Sequence, residues 1–267
     1  MTRPVRTEPS AARVVLSKIK MTTIEVCWSA LGYAAGKVTG DRFRHYDLEL
    51  DVSGREFTSH MKGLLFRNRY EDPEIRMIRR YLRDSGTVVE LGSSLGITSA
   101  HIAALLPSGG RLLCVEANPR LVDGMQRRVA PHARHISLEI ETMAVAGQIG
   151  TARLRITPTS PGSHLVTNPG EPDERNTVEV HTTTLRDLLT KHAIDEFDLV
   201  ADIEGAEASI LLDDPHSLSG CRRALFEFHD TVHDGQRLSV ADFVDTTVAL
   251  GFRILERHGR AVAFERE

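Results

Sequence analysis

The chain has 267 residues, of which 41% are hydrophobic and 26% charged, so it can bury one large α/β domain or a domain with a short appendage. That balance excludes a chain that is disordered throughout. A net charge of −4 argues against a dedicated nucleic-acid binder, which carries a basic surplus.

Three cysteines stand at positions 27, 114 and 221, with no Cys-x-x-Cys pair. Their wide spacing argues against a disulfide framework or a structural zinc site and fits a cytoplasmic protein. The most apolar early segment, Ile24 to Ala35, is too short to span a bilayer and contains Glu25. The basic start, with Arg3, Arg6, Arg13, Lys18 and Lys20 against Glu8, reads as a solvated tail, because no apolar signal core follows it.

In chain order, residues from about Ala11 to Gly36 form a helix that covers a cofactor, pairs two subunits as a homodimer or rests on a membrane surface. Its modest apolar face favours packing. Tyr46 to Val52 and Glu56 to Met61 alternate around Ser53-Gly54, which predicts a β-hairpin. We take residues 1–62 as an N-terminal extension and 63–267 as the main domain. Asp72-Pro73-Glu74 then opens a helix, with Asp72 as cap and Gly86 as stop.

From Thr87 the rhythm is strand, helix, strand. Thr87 to Leu91 is a buried strand, Gly92 to Gly96 a tight turn, and Ile97 to Leu106 a helix. Arg111 to Glu116 is a second strand, Pro119 to Val129 a second helix, and Ile136 to Ile140 a third strand. This cadence predicts a parallel sheet with right-handed crossovers. Ala152 to Ile156 is a short strand, and residues 157 to 176, dense in turn formers, hold no element and form a long surface loop. Strands follow at Val178 to His181, Phe197 to Asp202 and Ala224 to Phe228. Helices begin at Thr184 and cover Glu207 to Leu212 and Arg237 to Leu250, and Phe252 to Leu255 pairs with Ala261 to Phe264 in a closing hairpin.

Ligands of an open α/β sheet bind outside the carboxyl ends of its strands. Glu90-x-Gly92-x-x-x-Gly96, Glu116 and Asp202 stand at three such ends. Gly92 and Gly96 would let the backbone approach a ligand. Glu116, at the end of the second strand, can accept hydrogen bonds from both hydroxyls of a ribose. The dinucleotide fingerprint fails, because Ser94 and Ile97 stand where it needs glycine. A ligand without a pyrophosphate remains, and S-adenosylmethionine fits, with Glu90 near its ammonium end and Glu116 on its ribose. The alternative is a short-chain NAD(P)-dependent oxidoreductase. It needs a Tyr-x-x-x-Lys pair downstream, yet all four tyrosines precede the glycine turn.

Several runs in order carry a resemblance. They are Val88-Val89-Glu90-Leu91-Gly92-Ser93-Ser94-Leu95-Gly96, Val115-Glu116-Ala117-Asn118-Pro119, Thr183-Thr184-Leu185-Arg186-Asp187-Leu188-Leu189, Asp202-Ile203-Glu204-Gly205-Ala206-Glu207 and Phe226-Glu227-Phe228-His229. Tyr70-Glu71 precedes them. Together they resemble the FkbM-type family of S-adenosylmethionine-dependent methyltransferases over roughly residues 64 to 255. The resemblance implies a class I methyltransferase (Rossmann-like) fold, a mostly parallel seven-stranded sheet with its last strand reversed, here behind an N-terminal helical and hairpin extension. It implies O-methylation of a hydroxyl on a small molecule or glycan: a sugar, a glycolipid or a polyketide-like natural product. The cofactor site it implies comprises Glu71, Glu90, Gly92, Ser93, Gly96, Glu116, Ala117, Asn118, Ala144 and Asp202. The chain departs from the family's Asp-x-Gly-Ala-Asn-x-Gly in having Glu90-Leu91-Gly92-Ser93-Ser94-Leu95-Gly96, which keeps the acid and both glycines.

Methyl transfer to an alcohol needs alignment and a positioned base. His229, Asp202 and Glu204 are the catalytic candidates, while Glu207 most simply favours the start of the following helix. His229, Asp230, His233 and Asp234 also look like a metal cluster to which Asp202 could contribute, so a metal-dependent O-methyltransferase using a divalent ion is a further alternative.

Overall fold

The computed structural model describes residues 11–156, 163–166 and 176–267. The start of the basic tail and most of the loop expected at 157–176 lie outside the described residues. The chain forms two compact units, Met1–Tyr70 and Glu71–Glu267.

In the first unit, helix α1 (Ala11–Thr39) is followed by strands β1 (Arg42–His45) and β2 (Leu48–Asp51) and helix α2 (Ser59–Phe66). The hairpin expected around Ser53-Gly54 is corrected: β1 pairs antiparallel with β2 about Tyr46-Asp47. Tyr46 takes a left-handed φ of 54°, and its N–H donates to Asn68 Oδ1 at 2.7 Å. The alternation from Glu56 to Met61 yields to a helix start, because Thr58 Oγ1 accepts from the Met61 N–H at 3.2 Å and caps α2. No helix among the described residues is long and apolar enough to cross a membrane.

The second unit is built on seven strands. They are β3 (Thr87–Leu91), β4 (Arg111–Val115), β5 (Ser137–Glu141), β10 (Phe197–Ala201), β11 (Cys221–Glu227), β14 (Phe252–His258) and β15 (Ala261–Arg266). Their spatial order is β14-β15-β11-β10-β3-β4-β5. The pairs β11–β10, β10–β3, β3–β4 and β4–β5 are parallel, while β15 runs antiparallel to both neighbours. This is the class I methyltransferase order, with β10 at the centre beside the first strand, β3, and the last strand, β15, reversed. Alternate side chains feed two cores: Val88, Leu112 and Cys114 on one face, Val89, Leu91, Leu113 and Val115 on the other.

Helices α3 (Asp72–Tyr81), α4 (Ile97–Leu105), α5 (Pro119–Val129), α6 (Leu185–Lys191) and α7 (Val240–Ala249) cover the sheet. Glu71, not Asp72, occupies the cap position of α3, with φ 48°. A second, four-stranded sheet has the order β6-β9-β7-β8, from β6 (Ala144–Val145), β7 (Gly150–Arg155), β8 (His164–Leu165) and β9 (Thr177–Thr183). Strand β8 corrects the expectation of an element-free loop, since it pairs with Leu154 and Arg155 of β7. The helix expected from Arg237 begins later. Gln236–Leu238 pairs with Thr231–His233 as strands β13 and β12, and a reciprocal capping box between Ser239 and Asp242 starts α7 at Val240.

The edge strand β5 is tied down by charge. Glu139 accepts from Arg111 Nε at 2.6 Å, and the His192 ring bridges Glu139 and Glu141 with both nitrogens at 2.7 Å. Arg111 and His192 hold the Glu139 carboxyl below the usual range. Burial opposes ionisation of Glu141, but Lys191 and His192 outweigh it and hold that carboxyl low as well. A carboxyl whose folded pKa is lowered contributes stability above its unfolded pKa, near 4.3 for glutamate, and loses it as pH falls through the folded value. Glu139→Gln combined with Glu141→Gln is therefore expected to lower Tm at pH 7. The gap to the wild type should close below about pH 4 in thermal scans. A gap that persists at low pH would mean that the network contributes through packing alone.

Candidate active site

The turn after β3 is shaped from within. The Gly92 and Ser93 N–H groups both donate to Val115 O, at 2.9 and 3.1 Å. Gly92 has φ 84°, and a Cβ there would lie 1.9 Å from Asp202 O. Gly96 has φ 72°, and a Cβ there would lie 2.6 Å from Met125 Cγ. The expectation that both glycines clear room for a ligand is thus corrected: the missing side chain of Gly92 lets the turn pass the Asp202 backbone, although Gly92 still lines the cavities, and that of Gly96 lets α4 and α5 pack. Glu90 is buried and accepts from Ser93 Oγ at 2.9 Å, Thr98 Oγ1 at 2.6 Å and Ser99 Oγ at 2.5 Å. Glu90, on the cavity wall, and Ser93, behind it, therefore brace the turn.

Glu116 lies just past β4. Its carboxylate accepts from the Ser94 N–H and the Asn118 N–H, each at 2.6 Å. Burial pushes its pKa up against these two bonds. Asn118 is also the cap of α5, accepting from the Arg120 N–H at 3.1 Å. Asn118 thus fixes Glu116 instead of facing the cavity.

Two cavities open at this edge of the sheet. The first encloses about 670 Å³, counting space open to solvent, and is walled by Glu116, Ala117, Met143, Ala144, His164 and Glu204. The second, about 530 Å³, is walled by Glu71, Glu74, Glu90 and Glu227 with apolar Met77, Ile78 and Phe226. Leu91, Gly92, Ser94 and Asp202 line both. Two polar atoms at this waist, Ser94 Oγ and Asp202 Oδ1, are buried and have no hydrogen-bond partner among the described residues. Buried polar atoms without partners are costly, so they mark where a ligand's polar groups belong. Burial raises the Asp202 carboxyl well above the usual range, with the Glu227 charge adding to the effect. Burial likewise raises Glu74 to about 7.

Beside the waist stands His229. It follows Phe228, which is fully buried and stacked on Phe226 at 4.9 Å and on Phe243 at 5.4 Å. Four carboxylates surround the ring. Nδ1 lies 3.2 Å from Glu207 Oε1 and 3.9 Å from Asp202 Oδ1, while Nε2 lies 3.3 Å from Glu204 Oε2 and 4.0 Å from Glu227 Oε1. Burial disfavours the charged ring, but the Glu207 bond and the charges of Glu207, Asp202 and Glu204 prevail, raising the pKa to about 9. Glu204 sits at φ 51° in the turn after β10, a left-handed conformation uncommon outside glycine.

Ligand atoms of Asp202, Glu204 and His229 lie within 4.8 Å of one another and could hold a metal ion. The larger cluster expected from the sequence does not assemble. His233 Nε2 pairs with Asp213 Oδ1 at 2.8 Å, and Asp230 Oδ1 accepts from the Val240 N–H at 3.0 Å. Asp234 occupies a left-handed turn position in the hairpin with 94% of its side chain exposed.

The structure thus brings Glu71, Glu90, Gly92, Glu116, Ala117, Ala144, Asp202 and Glu204 to the cavity walls, with His229 beside them and Ser93, Gly96 and Asn118 behind. The sequence reading missed Ser94, Glu74 and His164. Only Ser94 carried a signal, its place inside the glycine turn. Glu207 does open the helix that runs on into Ser209–Asp213, as expected, but its side chain is fully buried and turned to His229.

A two-lobed, acid-walled space suits a ligand with a nucleoside at one end and a cationic amino-acid arm at the other. S-adenosylmethionine has that form: Glu116 would face the ribose, and the acidic second lobe the ammonium. Residues 92–257, more than half of the chain, match the model of the methyltransferase FkbM domain. The chain belongs to the FkbM methyltransferase family. Methyl transfer from S-adenosylmethionine is the activity this membership gives.

Similar solved structures include magnesium protoporphyrin IX methyltransferase from Synechocystis with bound S-adenosylhomocysteine, at 14% identity over 73% of this chain and 83% of that one, TM-score 0.40. Fibrillarin from Aeropyrum pernix with S-adenosylmethionine bound is 15% identical over 68% of this chain and 66% of that one, TM-score 0.37. An N-methyltransferase from Bradyrhizobium japonicum is 10% identical over 73% and 94%, TM-score 0.38. No curated protein sequence matches this FkbM methyltransferase.

Proposed function

We propose that this enzyme methylates a hydroxyl oxygen of a small-molecule or glycan acceptor, such as a sugar, a glycolipid or a polyketide-like product. The observation that carries the reading is His229, a histidine made strongly basic by carboxylates and set beside the waist of the cofactor space. S-adenosylmethionine supplies an activated methyl group, so the chain's own task is to align the acceptor and take its proton. Glu116, Ser94 and Asp202 bind and orient the cofactor. His229 in its neutral form accepts the hydroxyl proton, and Glu204 and Asp202 stabilise the imidazolium that results. A base whose pKa is near 9 suits a weakly acidic alcohol better than an ordinary histidine does.

Calorimetric titration with S-adenosylhomocysteine, with NADH as control, tests the cofactor assignment. Transfer of labelled methyl to a panel of sugars, glycolipids and polyols tests the acceptor class. Binding of NADH alone, or transfer only to amines or carbon, would refute the reading. The Asp202, Glu204 and His229 triad favours one second reading, metal-assisted transfer. Under our proposal the imidazolium already occupies that place, so dialysis against EDTA should leave turnover unchanged. Loss of turnover that Mg²⁺ or Mn²⁺ restores would assign the metal reading instead.

A further inference from the structure

The geometry points to Glu207 as the positioning residue of the site: a buried carboxylate that holds the His229 ring through Nδ1 and leaves Nε2 turned toward Glu204 and the acceptor. This inference rests on the proposed role of His229, and it assigns work to a residue for which the sequence suggested only a helix start.

Burial comes first. The Glu207 side chain is fully inaccessible to solvent. Its Oε1 meets His229 Nδ1 at 3.2 Å, while its Oε2 has no hydrogen-bond partner among the described residues. Burying a carboxylate costs several kcal/mol, and a single ion pair seldom returns more than an apolar side chain of the same size would. Stability alone therefore gives no reason to place an acid here.

Direction comes second. A neutral imidazole carries one hydrogen, and the nitrogen that holds it is set by the partner of the ring. Glu207 is an acceptor at Nδ1, so it favours the tautomer with hydrogen on Nδ1 and a free lone pair on Nε2. That lone pair is what a base needs, and Nε2 is the nitrogen on the side of Glu204, which lines the first cavity. Nε2 also has a carboxylate near it, Glu204 Oε2 at 3.3 Å, but among the described residues only the Nδ1 contact with Glu207 is a hydrogen bond, so Glu207 decides the tautomer.

Rigidity comes third. Phe228, clamped between two rings, fixes the backbone before His229. Glu207 fixes the ring itself. Glu204 and Asp202 are part-exposed and line the cavity, so they are free to respond to ligand, whereas Glu207 is not.

The test is histidine-selective ¹⁵N labelling of the full chain, with Glu207→Gln as the variant. In the wild type, the neutral form of His229 should carry its hydrogen on Nδ1. In Glu207→Gln, whose amide can turn either its oxygen or its N–H toward Nδ1, part of the hydrogen of the neutral ring should shift to Nε2. With the ring no longer held, kcat should fall about 10- to 100-fold while the Kd for S-adenosylhomocysteine stays within about twofold. A merely structural acid would lower Tm and leave the His229 tautomer and kcat per folded molecule unchanged, and that result would overturn the inference. Should Glu207→Gln fail to fold, the wild-type spectrum alone decides: hydrogen on Nε2 in the neutral form refutes the assignment. Should the wild type methylate no hydroxyl, the proposed reaction fails, while the spectra still report whether Glu207 governs His229.

Discussion

His229→Ala is expected to lower kcat by roughly 100- to 10,000-fold, the usual contribution of a positioned general base. The Kd for S-adenosylhomocysteine should change by less than about threefold, because the ring stands beside the cavity walls and is not among the residues that line them. The alanine also leaves Glu207 buried without its partner, which costs about 3–5 kcal/mol of stability. His229→Gln retains a donor toward Glu207 and separates the two effects: it should restore Tm and not turnover. In the wild type the rate should rise about tenfold per pH unit and level off near pH 9. The sign follows from the ring's charge, since with a pKa of about 9 only roughly one molecule in a hundred holds the neutral, accepting form at pH 7. Wild-type turnover in His229→Gln, or a flat profile from pH 6 to 9, would end the role of His229 as base.

Glu116→Ala is expected to weaken S-adenosylhomocysteine binding by about 10- to 100-fold, the effect of removing one or two hydrogen bonds to a charged acceptor. The carboxylate also anchors the Ser94 and Asn118 N–H groups, so the same change loosens the glycine turn and should lower Tm by a few degrees. Glu116→Gln keeps the shape and one acceptor oxygen. Its affinity should lie between the wild type and the alanine variant, with kcat at saturating cofactor near that of the wild type. Calorimetry measures the affinities and thermal scans the stability. Equal affinity in all three proteins would remove Glu116 from the ribose site.

The centre of the sheet was legible because its signals are local. Thr87–Leu91 and Arg111–Val115 are short apolar runs, and Gly92, Gly96, Pro107 and Pro119 mark the breaks between them and their helices. Glu116 followed from position alone, as the first acid beyond the second strand. The hairpin of the first unit was less legible. An alternating run can pair in more than one register, and one hydroxyl cap at Thr58 was enough to turn residues from Ser59 into helix. Strand β8 was illegible because two residues in a turn-rich stretch carry no period, and only the partner strand β7 defines it.

The sequence by itself determined that this is an α/β chain with an acid at each of three strand ends and a glycine turn that departs from the Gly-x-Gly-x-x-Gly dinucleotide fingerprint. Those properties depend on residue type and spacing of a few positions, which a local reading captures. The meeting of Glu207 with His229, 22 residues apart, was decided only by the tertiary structure. Parallel pairing of β10 with β11 brings both chain segments out at one edge of the sheet, and the turn through Glu204 sends Glu207 back beneath the histidine. The same acid on a solvated helix start would be an ordinary cap. Buried with His229 as its one hydrogen-bond partner among the described residues, it sets the proton chemistry of the site, because charge interactions strengthen where water is excluded.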